Sequence, residues 1–185
     1  MKKQPERTAA TRSAFVDAFI SISESRPIEK ITIQEIADKA GYNRTTFYQY
    51  FEDTFHLLSY MEDYIISCIQ ESIVTRIGKI PEEEKFVQLF IDMYRENKKY
   101  LKVLYNSVNY KRFEQKLKRI LTPAFEQRIC LTFDNVKAEY IIDFYLSGMI
   151  SIIAKWIISE DMSVEAFAQL VRSIVEGMSK GIMSQ

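Results

Sequence analysis

The sequence predicts an all-α protein, with an N-terminal three-helix domain carrying a helix-turn-helix and a larger C-terminal helical bundle. Three observations lead there. Gly and Pro number only five and four in 185 residues, so most of the chain lacks turn punctuation. Hydrophobic residues make up 47%, enough to bury a real core, and they recur at spacings of three and four. Between Thr32 and Glu52, two short segments with capping residues flank a glycine.

The first helix carries Ala14, Phe15, Ala18, Phe19 and Ile22 on one stripe and stops near Ser25-Arg26-Pro27, because proline disfavours helix at the residue before it. Thr32 and Glu35 then form a capping box, each side chain satisfying the other's amide, with Ile31 and Ile36 as the hydrophobic staple. Small Ala37 and Ala40 permit a close helix crossing, and Gly41 suits a left-handed cap. Asn43 caps a third helix, with Tyr42 and Phe47 as its staple. Wound from Arg44 to Glu52, that helix turns Phe47, Tyr50 and Phe51 to one side and Thr45, Tyr48, Gln49 and Glu52 to the other.

Beyond Asp53 the pattern changes to long helices. One runs from Thr54 to about Arg76. A second starts at Pro81 with Glu82, Glu83 and Glu84, and Tyr100 to Tyr105 follows as the next segment. Tyr110 to about Ile129 comes next, with Pro123 expected to kink or break it. The last two run from Val136 to Ser159 and from Val164 to Lys180, with Ser163 as a cap. The expected domains are 1–52 and 53–185, joined through the long helix after Asp53 rather than by a flexible tether.

The formal net charge is zero, which argues against a protein coated in nucleic acid, yet Lys2, Lys3, Arg7 and Arg12 face only Glu6 at the N-terminal tip. Cys68 and Cys130 belong to no Cys-x-x-Cys or Cys/His cluster, so no zinc or redox motif exists, and reduced thiols in a cytoplasmic protein are expected. Lone His56 has no partner ligand near in sequence, so a surface or capping role is expected over a metal. No signal-peptide run is present, and Ile141 to Ile158, interrupted by Asp143 and Lys155, reads as a buried helix rather than a membrane span. No nucleophile–base pair, metal cluster or phosphate loop is present, so no catalytic residue, metal or cofactor is assigned.

A helix with inward alanines, a glycine turn and a short helix with a polar outer face is the helix-turn-helix pattern, whose second helix lies in the major groove. Arg44 can pair with guanine or hold a phosphate, Thr45 can offer hydroxyl or methyl, Gln49 can pair with adenine, and Tyr48 can donate to a phosphate. A short amphipathic connector with a solvated face has the same pattern, so the residues alone leave both readings open.

Thr32-Ile-Gln-Glu-Ile-Ala-Asp-Lys-Ala-Gly-Tyr-Asn-Arg-Thr-Thr-Phe-Tyr-Gln-Tyr-Phe resembles the DNA-binding domain of the TetR/AcrR family of bacterial transcription regulators. Thr32, Ile36, Ala37, Ala40, Gly41, Asn43, Thr46, Phe47, Tyr48 and Phe51 occupy matching positions. The resemblance implies a homodimeric, cytoplasmic, non-enzymatic regulator that binds a pseudo-palindromic double-stranded DNA operator and a small-molecule effector. The expected DNA-binding residues are Thr32, Gln34, Arg44, Thr45, Thr46, Tyr48, Gln49, Tyr50 and Thr54. Two positions depart from the family pattern: Tyr50 stands where histidine is usual, and Thr54 where lysine is usual. Both usual residues serve the DNA backbone, and losing the lysine removes a counterion-releasing contact. Tyr94 to Tyr105, with Phe144-Tyr-Leu-Ser-Gly148 and Lys155-Trp156, is similar to a C-terminal type frequent in Gram-positive regulators of this family.

In that region Tyr64, Cys68, Phe86, Phe90, Tyr94, Tyr105, Phe113 and Leu117 are expected as ligand-pocket candidates, although aromatics at helical spacing are more often plain core. The basic run Lys111, Arg112, Lys116, Lys118 and Arg119 reads as a solvated face. The last two helices carry apolar residues on more than one face, so a two-fold dimer interface is expected from Phe144, Tyr145, Gly148, Ile152, Trp156, Phe167, Val171 and Ile174. A repressor is the leading reading. A helical enzyme stays open, as does a co-activator or protein-interaction module that kept the fold and lost sequence-specific DNA binding.

Overall fold

The structure, a computed structural model, describes residues 5–76, 83–108, 110–129 and 134–183, and every regular element among them is a helix. Pro81 and Cys130 lie outside the described residues, and the Phe86 side chain is likewise not described. The chain divides into two compact units, Met1–Tyr64 and Ile65–Gln185.

The first unit holds α1 (Pro5–Ser23), a 3-10 turn (Ile28–Lys30), α2 (Ile33–Ala40), α3 (Arg44–Tyr48) and the start of α4 (Thr54–Arg76). The division between the units falls inside α4. α1 packs on α2, and α2 on α3. Phe15, Phe19, Ile36, Phe47, Phe51, Leu57 and Met61 are fully buried at the centre. Each contributes about 1.5–3 kcal/mol of transfer free energy before conformational entropy is set against it. α3 is shorter than the sequence suggests. It ends at Tyr48, and the chain tightens as the Tyr50 and Phe51 amides both donate to the Phe47 carbonyl, at 2.9 and 3.0 Å. The next helix already has its own cap, because Asp53 accepts from the His56 amide at 2.7 Å.

The second unit is built on α5 (Glu83–Asn106), which packs against α6 (Tyr110–Ile129), α7 (Asn135–Ser159) and α8 (Val164–Met183); α6 also packs on α7. Two expectations need correction. Tyr100 to Tyr105 is no separate segment: α5 runs through it, since no proline or glycine interrupts Arg95–Lys99, and buried Asn97 donates to the Met93 carbonyl of its own helix at 3.0 Å. α6 continues through Pro123, so of the expected kink or break the break does not occur.

An aromatic cluster forms the core of this unit. Trp156 and Phe167 stack at 4.5 Å with an interplanar angle of 4°, and Tyr94 packs on Trp156 at 4.4 Å. The indole N–H donates to the Met162 carbonyl at 3.0 Å, so burial leaves no polar group stranded. Glu160 ends α7 with φ +46°, a conformation that costs a side-chain-bearing residue about 1–2 kcal/mol. Three contacts offset that cost: Lys102 at 2.6 Å, Lys98 at 2.7 Å and the Tyr94 hydroxyl, which donates at 2.9 Å. Lys102, then Lys98, then Tyr94 hold the Glu160 carboxyl down to about 2, from an ordinary 4.5.

A group with a depressed folded pKa stabilises above its unfolded value and loses that contribution as pH falls through the folded one. We therefore expect Glu160→Gln to destabilise the protein near neutral pH by about 1 kcal/mol, since the carboxylate is partly solvated. Urea melts should show the gap from the wild type closing between about pH 4.5 and 2. A gap that stays constant through that window would mean the ion pairs contribute nothing.

Candidate nucleic-acid interface

α2 and α3 are fixed at their ends by local hydrogen bonds. Thr32 Oγ1 accepts from the Glu35 amide at 3.3 Å, and Glu35 Oε2 accepts from the Thr32 amide at 3.0 Å, which is the predicted capping box. Arg26 pairs with Glu35. Hydrogen bonds from the Thr32 backbone and side chain hold the Glu35 carboxyl below its ordinary range, with Arg26 adding to them. Gly41 adopts φ +76°, and the Tyr42 amide donates back to the Ala37 carbonyl at 2.9 Å, which closes α2 as expected. A Cβ added at Gly41 would meet nothing within 4 Å, so glycine is required here by backbone conformation, not by space.

Asn43 Oδ1 accepts from both the amide and the hydroxyl of Thr46, at 2.8 and 3.0 Å, and caps α3. Tyr42 does not reach its expected role as the staple on Phe47 by ring contact; its ring lies on Phe15 at 5.3 Å. Phe47 meets Phe15 edge-on at 5.2 Å and Phe51 at 5.6 Å, so α3 is held by rings from α1 and from the turn that follows it.

That anchorage leaves Arg44, Thr45, Tyr48 and Gln49 exposed. Arg44 Nη2 donates to the Tyr48 hydroxyl at 3.1 Å, and its guanidinium stands 5.8 Å from the Tyr48 ring centroid. The pair is organised one turn apart on the same face. Because the Tyr48 oxygen accepts from Arg44, its own proton remains available to donate, and Arg44 keeps further N–H donors in a planar fork. Both groups can therefore meet phosphate or base acceptors without first breaking their mutual contact.

The other expected DNA-binding residues are less free. Thr32 is exposed, but its hydroxyl serves the capping box and also donates to Glu35 at 2.8 Å. Gln34 is exposed and donates to Asp38 at 2.7 Å. Thr46 is half-buried in the Asn43 cap, and Thr54 is half-buried at the start of α4. Tyr50 is half-buried with its ring 6.2 Å from Phe15. Arg12, which the sequence offers only as part of a basic tip, lies 5.9 Å from the Tyr50 ring and 5.7 Å from the Tyr60 ring. Arg12 Nε is buried without a hydrogen-bond partner among the described residues. The cation thus sits against tyrosine at the position where the resemblance leads one to expect histidine. His56 is a capping residue, as its position suggests: its Nδ1 accepts from the Glu52 amide at 3.2 Å. No group of three or more His, Cys, Asp and Glu able to hold a metal occurs among the described residues.

In the second unit the ligand candidates separate. Phe90 and Tyr94 belong to the Trp156 cluster, and Phe113 and Leu117 are buried. Tyr64, the last residue of the first unit, is exposed, and Cys68 is half-buried. Tyr105 lines a cavity of about 520 Å³ between α5, α6 and α7, with Tyr110, Glu114, Lys118, Ser147 and Ile150 among its other walls. Sequence reasoning missed these residues, although Tyr110, Glu114 and Lys118 recur every four positions and so share one helix face. Lys118 is not simply solvated, as expected of its basic run, because it reaches across to Asp143 at 2.8 Å and Ser147 at 2.6 Å. Of the expected dimer residues, Trp156, Phe167 and Val171 are buried within the protomer's own core. Phe144, Gly148 and Ile174 are exposed, and Tyr145 and Ile152 are half-buried.

The family described as "Bacterial regulatory proteins, tetR family" matches residues 17–61, and the "Transcriptional regulator C-terminal region" matches residues 81–177. The nucleoid occlusion factor SlmA of Alteromonas mediterranea is 31% identical over 74 residues, which is 40% of this chain and 36% of that protein. The match thus spans about a third of that curated relative's length. A TetR transcriptional regulator from Streptococcus agalactiae superposes with a TM-score of 0.66 at 22% identity, covering 92% of this chain and 96% of that one. The fatty acid degradation regulator FadR from Bacillus halodurans gives 0.69 at 14% identity, over 94% and 96%. At these identities the structural likeness shows the fold.

Phe47→Ala should cost the first unit about 3–5 kcal/mol, the range for emptying a buried phenylalanine site. Tyr48→Ala, next to it but outward, should cost no more than about 0.5 kcal/mol. Denaturant unfolding of both variants checks the contrast, and equal midpoints would mean that α3 is not held by its buried face.

Proposed function

The chain belongs to the TetR family of transcriptional regulators, and we propose that it acts as a homodimeric repressor released from a pseudo-palindromic operator by a small-molecule effector. In this reading residues 1–52 bind DNA, and residues 53–185 bind the effector and dimerise. The observation that carries it is the Arg44–Tyr48 pair, exposed on a short helix that fully buried Phe47 anchors from the other side. A solvated connector needs no such arrangement, whereas base and phosphate recognition needs cationic and hydroxyl donors held in place on a rigid support. Thr45 and Gln49 flank the pair with groups that read bases. Thr32 and Gln34 at the start of α2 suit the backbone beside the groove.

Dimerisation rests on a different feature. α7 is the one helix among the described residues that is long and apolar enough to cross a membrane, and a third of its most apolar window is buried. Val136, Tyr140 and Phe144 remain between 66% and 78% exposed, and Leu170 and Ile174 of α8 are also exposed. An added Cβ at Gly148 meets nothing within 4 Å, so no element of the same protomer crosses there and the place is open to a partner helix. A second copy covering this face removes the apolar surface that a soluble regulator otherwise leaves in water. Two reading helices carried by a dimer dock together only at a spacing of about 34 Å or a multiple of it, so a modest pivot suffices for release.

With a DNA site selected from random sequence, Arg44→Ala and Tyr48→Ala should each weaken binding by about ten-fold or more. Wild-type affinity should fall steeply as salt rises. Unchanged binding by both variants would remove α3 from the interface, and sedimentation of a monomer at working concentrations would remove the dimer.

A further inference from the structure

We propose that the cavity between α5, α6 and α7 binds an organic cation, an ammonium group carrying an apolar chain, through Tyr105, Tyr110 and Glu114. This rests on the reading of the second unit as the effector domain and names the ligand class. The cavity, at about 520 Å³, lies within the usual range for small-molecule sites.

Tyr105 is the first observation. It is 5% exposed, lines the cavity, and its hydroxyl has no hydrogen-bond partner among the described residues. Its ring is fixed edge-on against Phe113 at 5.5 Å. The residue is buried but its hydroxyl opens onto the cavity, where a ligand can supply the partner that the described residues do not.

Charge then selects the class. The cavity is lined by one acid and one base, Glu114 and Lys118. The base is already neutralised, since Lys118 donates to Asp143 and Ser147. Glu114 has no ion pair or hydrogen bond among the described residues, and its negative charge acts on Tyr105, adding to the burial that raises that phenol well above its ordinary range. The walls therefore keep an uncompensated negative charge beside two tyrosines, and acid with aromatic faces is the composition that holds ammonium groups. Opposite them, Ile150, Ala154 and Ile158 of α7 offer an apolar surface for the chain. An anion at this place would meet Glu114 and find Lys118 engaged.

Calorimetric titration of the 185-residue chain with hexylammonium, hexanoate and hexanol tests the assignment. The cation should bind saturably and at least about ten-fold tighter than the other two, which share its chain. Glu114→Gln should weaken it by about ten-fold and Tyr105→Phe by several-fold, with thermal melts verifying that both variants are folded. Hexanoate binding as tightly as the cation, no saturable binding of the cation, or unchanged cation affinity in folded Glu114→Gln would each overturn the proposal. The outcome is separable from the functional reading. Failure here alongside release of DNA by some other metabolite refutes only the ligand class, and cation binding without any effect on DNA refutes only the effector role.

Discussion

A five-residue helix cannot sustain itself in water, because nucleation consumes more conformational entropy than one turn of hydrogen bonds returns. Everything that α3 presents to the outside therefore depends on how its inner face is held. Phe47 and Phe51 are buried, with Phe15 of α1 packed against both. Asn43 fixes one end through Thr46, and Gly41 lets α2 stop close enough for α3 to fold back. The outcome is a pair of exposed donors, Arg44 and Tyr48, whose positions are set by buried rings rather than by their own contacts. A short helix held this way gives up length and gains rigidity, which suits the recognition role proposed for it.

The second unit solves a comparable problem with one large aromatic cluster. Trp156, Phe167, Tyr94 and Phe90 come from three helices, and their contact sets how α5, α7 and α8 pack. The turn from α7 into α8 starts with Glu160 in a left-handed conformation, where glycine is the usual solution. Glycine would remove the strain but also the carboxylate that ties the turn to Lys98, Lys102 and Tyr94 of α5. Strain at one residue is here exchanged for a tether between elements far apart in sequence.

This division also explains what could be read beforehand. Caps are local: Thr32 with Glu35, Gly41 and Asn43 act on amides within a few residues, so residue identity and spacing are sufficient to find them. The fate of an aromatic residue is not local. Tyr94, Tyr105, Trp156 and Phe167 all sit at helical spacing on apolar faces, and nothing in that spacing separates a ring in the core from one lining a cavity. The separation depends on which helix arrives opposite. Likewise, Lys118 belongs to a basic run that looks solvated until α7 brings Asp143 and Ser147 beside it. The end of α3 at Tyr48 was hidden for a related reason: Gln49 to Glu52 have adequate helical periodicity, but the tightened turn is dictated by Phe51 packing and by the separate cap at Asp53.

α7 is where the two proposals for the second unit meet. Ser147, Ile150, Ser151, Ala154 and Ile158 face the cavity, while Val136, Tyr140 and Phe144 are the exposed apolar residues assigned to the partner copy. The same helix is tied to α6 by Lys118, a residue that lines the cavity. A ligand seated against Glu114 and Tyr105 thus touches α7 from within, and a second copy seated on Tyr140 and Phe144 would touch it from outside. Such a ligand can bias the dimer only as far as it binds one arrangement of α6 and α7 more tightly than another.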